Sequence, residues 1–309
     1  MSDLSEFDVI SRFFTPSDYR SDIKLGVGDD AAIVTIPDDQ ELVISTDTLV
    51  ETIHFLPDIR AEDLAYRSLA VNLSDLAAMG AEPAWCMLSL TLPHSDDAWL
   101  HSFSQQFFTT AKAYQLDLIG GNLSRGPLAV TLQIAGYVPK GQALTRHQAK
   151  PGDIIFVTGQ FGLAAAGLDV LKQVNKDQKQ HLNEAQQRAV AAFLRPQPRI
   201  TEALAIRDIA SSCIDISDGL LVYLRHMTTA SKVGAVIDID NIPVTTLLSP
   251  KQAITAGEDY QLCFTVPPSV ASTLPISAVA IGHIEAQTGL RLYQAGKKID
   301  MTIEGYRHF

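Results

Sequence analysis

The residues best able to do chemistry are carboxylates set among small or apolar neighbours. Asp29 and Asp30 stand in Gly26-Val27-Gly28-Asp29-Asp30-Ala31-Ala32, Asp47 in Ser45-Thr46-Asp47-Thr48, and Asp75 in Asn72-Leu73-Ser74-Asp75-Leu76-Ala77-Ala78-Met79-Gly80. Asp215 and Asp218 follow in Ile214-Asp215-Ile216-Ser217-Asp218-Gly219-Leu220, and Glu258 and Asp259 in Ala256-Gly257-Glu258-Asp259-Tyr260. Hard oxygen ligands of this kind suit Mg²⁺, which is held by a few carboxylates together with nucleotide phosphates and water. Taken singly, each motif also reads as a polar turn or a helix cap. Asp75 is the hardest to dismiss. It shares a helix face with Asn72, and an aspartate inside a helix costs propensity and, once buried, desolvation unless a cation or donor compensates. No histidine or cysteine spacing points to zinc. The G-x-x-x-x-G-K-[ST] phosphate loop and the protein-kinase signatures are missing. A nucleotide would have to be held another way, for which Gly120-Gly121 and Thr158-Gly159-Gln160-Phe161-Gly162 offer backbone N–H groups.

These residues need elements to position them. Residues 42–45 read as a buried strand ending in Thr46-Asp47, and 63–79 as a helix with Leu64, Leu69, Leu73, Leu76 and Met79 on its apolar face and Gly80 just beyond its end. A second helix is expected over 99–114, a short strand at 118–119 stopping at Gly120-Gly121, and a longer strand over 129–138. The turn Lys150-Pro151-Gly152-Asp153 precedes a strand at 154–157 and sets the expected domain boundary, 1–149 and 150–309. Residues 172–188 are polar and read as exposed. Ile214-Asp215 ends a strand before a helix from about Gly219, and 236–239 and 261–266 alternate like half-buried strands. Strands alternating with helices in both halves make the class α/β or α+β.

Composition narrows the function further. The chain has 309 residues, 46% of them hydrophobic, and a formal net charge of −11. Such an acidic chain is a poor binder of nucleic acid, but it can take phosphorylated substrates if metal ions screen its carboxylates. The first residues are acidic and do not form a secretory signal. The long uncharged stretch 260–284 is broken by Pro267, Pro268 and Pro275, which argues against a membrane span. Cys86, Cys213 and Cys263 lie in apolar runs and read as reduced core thiols of a cytoplasmic protein.

The motifs Gly26-Val27-Gly28-Asp29-Asp30, Ser45-Thr46-Asp47-Thr48-Leu49, His54-Phe55, Asn72 to Gly80, Asp215 to Leu220 and Gly257-Glu258-Asp259-Tyr260 resemble, in order and almost end to end, the thiamine-monophosphate kinase family. The resemblance implies a two-domain fold shared with aminoimidazole ribonucleotide synthetase. Its N-terminal α/β domain would bind metal and ATP and pair across a homodimer, with a C-terminal α/β domain beside it. It implies transfer of the γ-phosphoryl of ATP to thiamine monophosphate, directly and in line, with Mg²⁺ assisting. Asp47, Asp75 and Asp215 would be the catalytic carboxylates. Asp30, Thr46, Asp47, Asp75 and Asp215 would hold Mg²⁺, with Ser45, Asp218 and Asn122 beside them. Gly121, Asn122, Arg146 and Ser217 would meet ATP, and His54, Glu258 and Tyr306 the thiamine phosphate. Two departures stand out. The family usually has Gly-Gly-Asp-Thr where this chain has Gly120-Gly121-Asn122-Leu123, so a metal would meet an amide oxygen in place of a full charge. It also tends to carry an aspartate where Tyr223 stands. The competing readings are a relative with another acceptor and a homologue that binds without turnover.

Overall fold

The protein is described from a computed structural model that covers residues 5–174 and 181–302. It divides into two compact units. The first takes the residues up to Leu76 together with Ala81–Gly141, and the second takes Ala77–Gly80 and the chain from Gln142 on.

The first unit opens with helix α1 (Glu6–Phe13), started by a reciprocal Ser5–Asp8 capping box. A two-stranded pair follows, β1 (Ile23–Leu25) and β2 (Ile33–Val34). The remaining elements are β3 (Gln40–Val50), α2 (Ala61–Ala78), β4 (Glu82–Leu92), α3 (Asp97–Ala113), β5 (Asp117–Arg125) and β6 (Ala129–Pro139). The last four strands form one sheet in the order β3-β6-β4-β5. β4 and β5 run parallel, so they need a crossover, and α3 supplies it. α2 is buried on almost every side, with Leu64, Leu69, Leu73 and Leu76 fully enclosed. Each such leucine contributes about 1.5–3 kcal/mol, so packing, more than propensity, holds this helix.

Two strands run further than their sequences suggest. β3 does not end before Asp47 but continues to Val50, because β6 pairs with it from Gln40 opposite Pro139 to Val50 opposite Ala129. β5 does not stop at Gly120-Gly121 but follows β4 to Arg125, with a register shift between Cys86 and Met87. Glycine is needed at position 121, since a Cβ there would fall 1.8 Å from the Leu88 carbonyl oxygen.

The second unit contains β7 (Ile154–Val157), α4 (Leu163–Gln173), α5 (Glu184–Leu194), α6 (Ile200–Ile206), β8 (Ser212–Ile216), α7 (Leu220–Ser231), β9 (Gly234–Asp238), α8 (Pro250–Thr255), β10 (Gln261–Val266), β11 (Val279–Glu285), β12 (Gly289–Gln294) and β13 (Lys297–Ile299). Its sheet is mixed, in the order β13-β12-β9-β11-β7-β10-β8. α7 packs Leu220, Leu221, Leu224 and Met227 onto Ile214, Ile216, Ala235 and Ile237 of that sheet. The strand at 261–266 is not half-buried: every residue of β10 is buried, because it pairs with β7 on one edge and β8 on the other. The polar stretch 172–188 holds the end of α4 and the start of α5, whose first turn is closed by an Asn183–Gln186 capping box. Cys86, Cys213 and Cys263 are free and buried, and burial raises all three thiols, Cys263 to about 12. Among the described residues no helix is long and apolar enough to cross a membrane.

Candidate functional site

In the first unit the side chains of a strand alternate between faces, and this sorts the polar residues of β3. Ser45, Asp47 and Leu49 lie opposite Ile134, Leu132 and Val130 of β6 and face α2. The Ser45 hydroxyl donates to the Asp75 carboxylate. The Asp47 backbone N–H donates to Asn72 Oδ1 at 3.1 Å, and Asn72 Nδ2 donates to the Ser68 carbonyl at 2.9 Å. The shared face of Asn72 and Asp75 is therefore the face that meets β3, and Asn72 clamps strand to helix. Thr46 and Thr48 lie on the other face. Thr46 Oγ1 donates to the Leu132 carbonyl at 3.1 Å, and Thr48 Oγ1 meets Thr131 Oγ1 at 2.9 Å. Thr46 can join Ser45 and Asp47 through its main chain alone.

His54 stands in the turn after β3. Thr52 there has φ 68°, an uncommon conformation for a β-branched residue. The turn is closed by Thr52 N–H to the Phe55 carbonyl at 2.9 Å and His54 N–H to the Val50 carbonyl at 2.9 Å. His54 Nδ1 accepts the Val50 N–H at 3.0 Å. With Nδ1 accepting, a neutral ring carries its proton on Nε2.

A cavity of about 450 Å³ opens along β5, the edge strand. Its polar wall is Asp29, Asp30 and Gly120-Gly121-Asn122, and its apolar wall includes Phe14, Val27, Leu90 and Ile119. That volume is in the range of small-ligand pockets. Asn122 Nδ2 donates to Ser124 Oγ at 2.8 Å, which leaves its Oδ1 for a cation or a donor.

In the second unit Asp215 lies inside β8, 8% exposed. Ser217 and Asp218 form the turn into α7 and meet Tyr223. Tyr223 Oη donates to Asp218 Oδ2 at 2.8 Å, Ser217 Oγ lies 2.6 Å from Tyr223 Oη, and Ser217 Oγ reaches Asp218 Oδ2 at 3.1 Å. Burial, more than the neighbouring carboxylates, pushes the Tyr223 hydroxyl well above its usual range, so it stays protonated. One turn on, His226 meets the Tyr223 ring edge-on at 5.5 Å. Burial, then the charges of Arg146 and Arg225, lower the His226 pKa against the opposing pull of Asp218. Glu258 is tied to the same turn, its N–H donating to the Ser217 carbonyl at 2.6 Å. A Cβ at Gly257 would sit 2.3 Å from that carbonyl, so glycine permits the contact. Glu258 and Tyr260 have φ 73° and 48°, and Tyr260 Oη donates to Glu258 Oε2 at 3.0 Å.

In the stretch Thr158 to Gly162 the protein itself takes the N–H groups of Thr158, Phe161 and Gly162, the first donating to the Leu262 carbonyl at 3.0 Å. The Gly162 N–H donates to both carboxyl oxygens of Asp259, at 3.0 and 2.9 Å, and the Phe161 N–H to the Pro243 carbonyl at 2.8 Å. Asp259 was legible in sequence only as a turn residue. It caps α4 from 97 positions away. Burial outweighs its backbone hydrogen bonds to Gly162, Leu163 and Ala164 and raises it to about 7.

The structure thus assembles three groups: Ser45, Asp47 and Asp75 with Asn72; Asp29, Asp30, Gly121 and Asn122 around a cavity; and Ser217, Asp218 and Tyr223 beside His226. Tyr306 lies outside the described residues. Among the described residues no set of three or more His, Cys, Asp or Glu side chains is gathered as a metal cage. The donor chemistry nevertheless fits Mg²⁺, which keeps several waters and takes one or two carboxylates plus phosphate oxygens rather than an all-protein cage. Sequence reasoning missed Asp259 and His226 as parts of this architecture. The three-residue spacing from Tyr223 to His226 was the available signal for the latter.

Comparison with known proteins follows the same division. Residues 28–138 match the family described as AIR synthase related protein, N-terminal domain, and residues 150–294 match its C-terminal domain. The thiamine-monophosphate kinase of Escherichia coli K12 is 48% identical over 321 residues, covering 98% of each chain. The crystal structure of thiamine-monophosphate kinase from Stenotrophomonas maltophilia K279a superposes with a TM-score of 0.80 at 38% identity, covering 91% of this chain and 93% of that one. A structure of AaThiL complexed with AMPPCP and TMP gives 0.79 at 27% identity, covering 89% of both.

Proposed function

The chain belongs to the thiamine-monophosphate kinase family, and from that membership we propose how its residues divide the work. The reaction is the ATP-dependent phosphorylation of thiamine monophosphate to thiamine diphosphate. The observation that carries the site reading is Asp75. It is a carboxylate on a helix enclosed almost all round, held by Ser45 on the inner face of β3. A cation beside this half-buried carboxylate would offset its desolvation, and the neighbouring Asp47 lies on the same face of β3 as Ser45.

Mg²⁺ would be held by Asp47, Asp75 and Ser45 with the Thr46 main chain, by Asp30 and the Asn122 amide oxygen, and by Asp215 and Asp218. When bound, it would supply charge neutralisation to the two phosphate-bearing reactants. Gly121 and Asn122 present the β5 edge to ATP, whose base suits the apolar wall of the cavity. Arg146 and Ser217 keep the ATP-contact roles that their sequence match implies. His54 Nε2–H donates to the acceptor phosphate, and Glu258 faces the cationic thiazolium. Tyr306 keeps the substrate-stacking role that its sequence match implies. A phosphate monoester has its second pKa near 6, so the acceptor is already largely a dianion and needs no strong base. Transfer is then direct and in line, and the residues work by positioning and charge. The exposed outer face of β3, where Ile44 is 52% exposed, suits pairing in a homodimer. The buried free cysteines suit the reducing cytoplasm.

The test is an assay of ATP and thiamine monophosphate with Mg²⁺, scored for thiamine diphosphate. Asp75→Ala is expected to lower kcat at least about 100-fold, the scale of losing one preorganised electrostatic group, while the protein stays folded. Unchanged turnover in a folded variant removes Asp75 from the site.

A further inference from the structure

We propose that Tyr223 is a positioning residue for phosphoryl transfer: its hydroxyl holds the Asp218 carboxylate in place and leaves the Ser217 hydroxyl free to turn towards a phosphate. The inference rests on the reading of Ser217 as a nucleotide contact and Asp218 as a metal contact.

Tyr223 Oη, Ser217 Oγ and Asp218 Oδ2 close a ring with edges of 2.8, 2.6 and 3.1 Å. The ionised carboxylate donates nothing, so the two hydroxyl protons must serve all three edges. The shorter bond to Oδ2 is the tyrosine's, and this commits the Tyr223 proton to Asp218. The Ser217 proton then points to Tyr223 Oη or, more weakly, to Oδ2. Two consequences follow. Asp218 Oδ2 is occupied inside the ring, so Oδ1 is the oxygen left for a cation. Ser217 can swing its O–H to an anionic oxygen without releasing Asp218, because the tyrosine bond persists.

The anchor is rigid. Tyr223 lies in the first turn of α7, packs against the apolar core of the second unit, and meets the His226 ring edge-on at 5.5 Å. Its hydroxyl position is therefore set by a helix and a packed ring. Phenylalanine keeps that packing and removes only the O–H.

The experiment uses the full chain with Mn²⁺ as a paramagnetic stand-in for Mg²⁺ and a non-hydrolysable ATP analogue, read by electron paramagnetic resonance. Steady-state kinetics and melting temperatures are recorded alongside. Tyr223→Phe is expected to weaken Mn²⁺ binding and raise the Mg²⁺ half-saturation by at least about 10-fold, the lower range for a hydrogen bond to a charged group. kcat at saturating Mg²⁺ changes by less than about 3-fold, since a positioning role is recovered when the metal saturates. In an Asp218→Asn background Tyr223→Phe adds nothing further, because the tyrosine acts through Asp218. Ser217→Ala, which removes the longer of the two bonds to Asp218 Oδ2 and leaves the tyrosine's, raises the KM for ATP and weakens Mn²⁺ binding less than Tyr223→Phe does. Wild-type Mn²⁺ affinity in Tyr223→Phe, or additive effects in the double variant, overturns the inference while Asp218→Asn still impairs metal binding. If Asp218→Asn itself leaves Mn²⁺ binding unchanged, the metal reading of Asp218 fails first and the role of Tyr223 fails with it.

Discussion

Two glycine turns of the second unit lead from strand to helix, and they are wired in opposite ways. The turn from β7 into α4 ends at Gly162, and the carboxyl of Asp259 covers the helix start. The turn from β8 into α7 ends at Gly219, which brings no side chain of its own to the helix start. Around the second turn the polar groups, Ser217, Asp218 and Tyr223, bond to one another. A helix N-terminus attracts an anion. At α4 that place is taken by the internal Asp259 carboxyl, and the turn is structural. At α7 the proposed reading gives that place to a phosphate of the substrate.

Substitutions can break this contrast. In β8, just before the α7 turn, Asp215→Asn is expected to lower kcat/KM about 100-fold or more if the proposed metal role holds, because the amide keeps the shape and loses the charge. At the α4 turn the pattern reverses. Asp259→Ala should destabilise the protein by about 1–3 kcal/mol, the cost of orphaned buried N–H groups, with the KM for ATP within about 2-fold of wild type. Urea unfolding and steady-state kinetics on both variants check the crossing. Loss of activity from Asp259→Ala at full stability would erase the distinction.

A smaller effect sharpens it. Asp259 is raised to about 7 by burial, so between about pH 4 and pH 7 the folded state holds a proton that the unfolded state has released. Stability therefore falls as pH rises through that window, with a slope of up to about 1.4 kcal/mol per pH unit for one proton, and levels off above it. Asp259→Asn should lack this component in urea midpoints measured across the window. Equal slopes in both proteins would show that Asp259 titrates as an ordinary carboxyl.

Much of the candidate site was legible one motif at a time. The period of a helix set Asn72 and Asp75 on one face, and β3 met that face. The turn Lys150 to Asp153 and the strand behind it were readable because Asp153 Oδ2 accepts the Lys150 N–H at 3.0 Å, a contact three residues long. Failures cluster where a partner from elsewhere decides. β3 and β5 outran their expected ends because β6 and β4 supplied edges to pair with. In Thr158 to Gly162, Asp259 takes the Gly162 N–H from far along the chain.

The sequence by itself determined the inventory of carboxylates, the elements that carry them and the family, since local periodicity and ordered motifs do not depend on distant contacts. Tertiary structure decided which oxygens are committed and which remain available. Ser45 reaches Asp75 across 30 positions and Gly162 reaches Asp259 across 97. Hydrogen-bond partners at that range are chosen by the packing of strands and helices, and no local rule of spacing contains it.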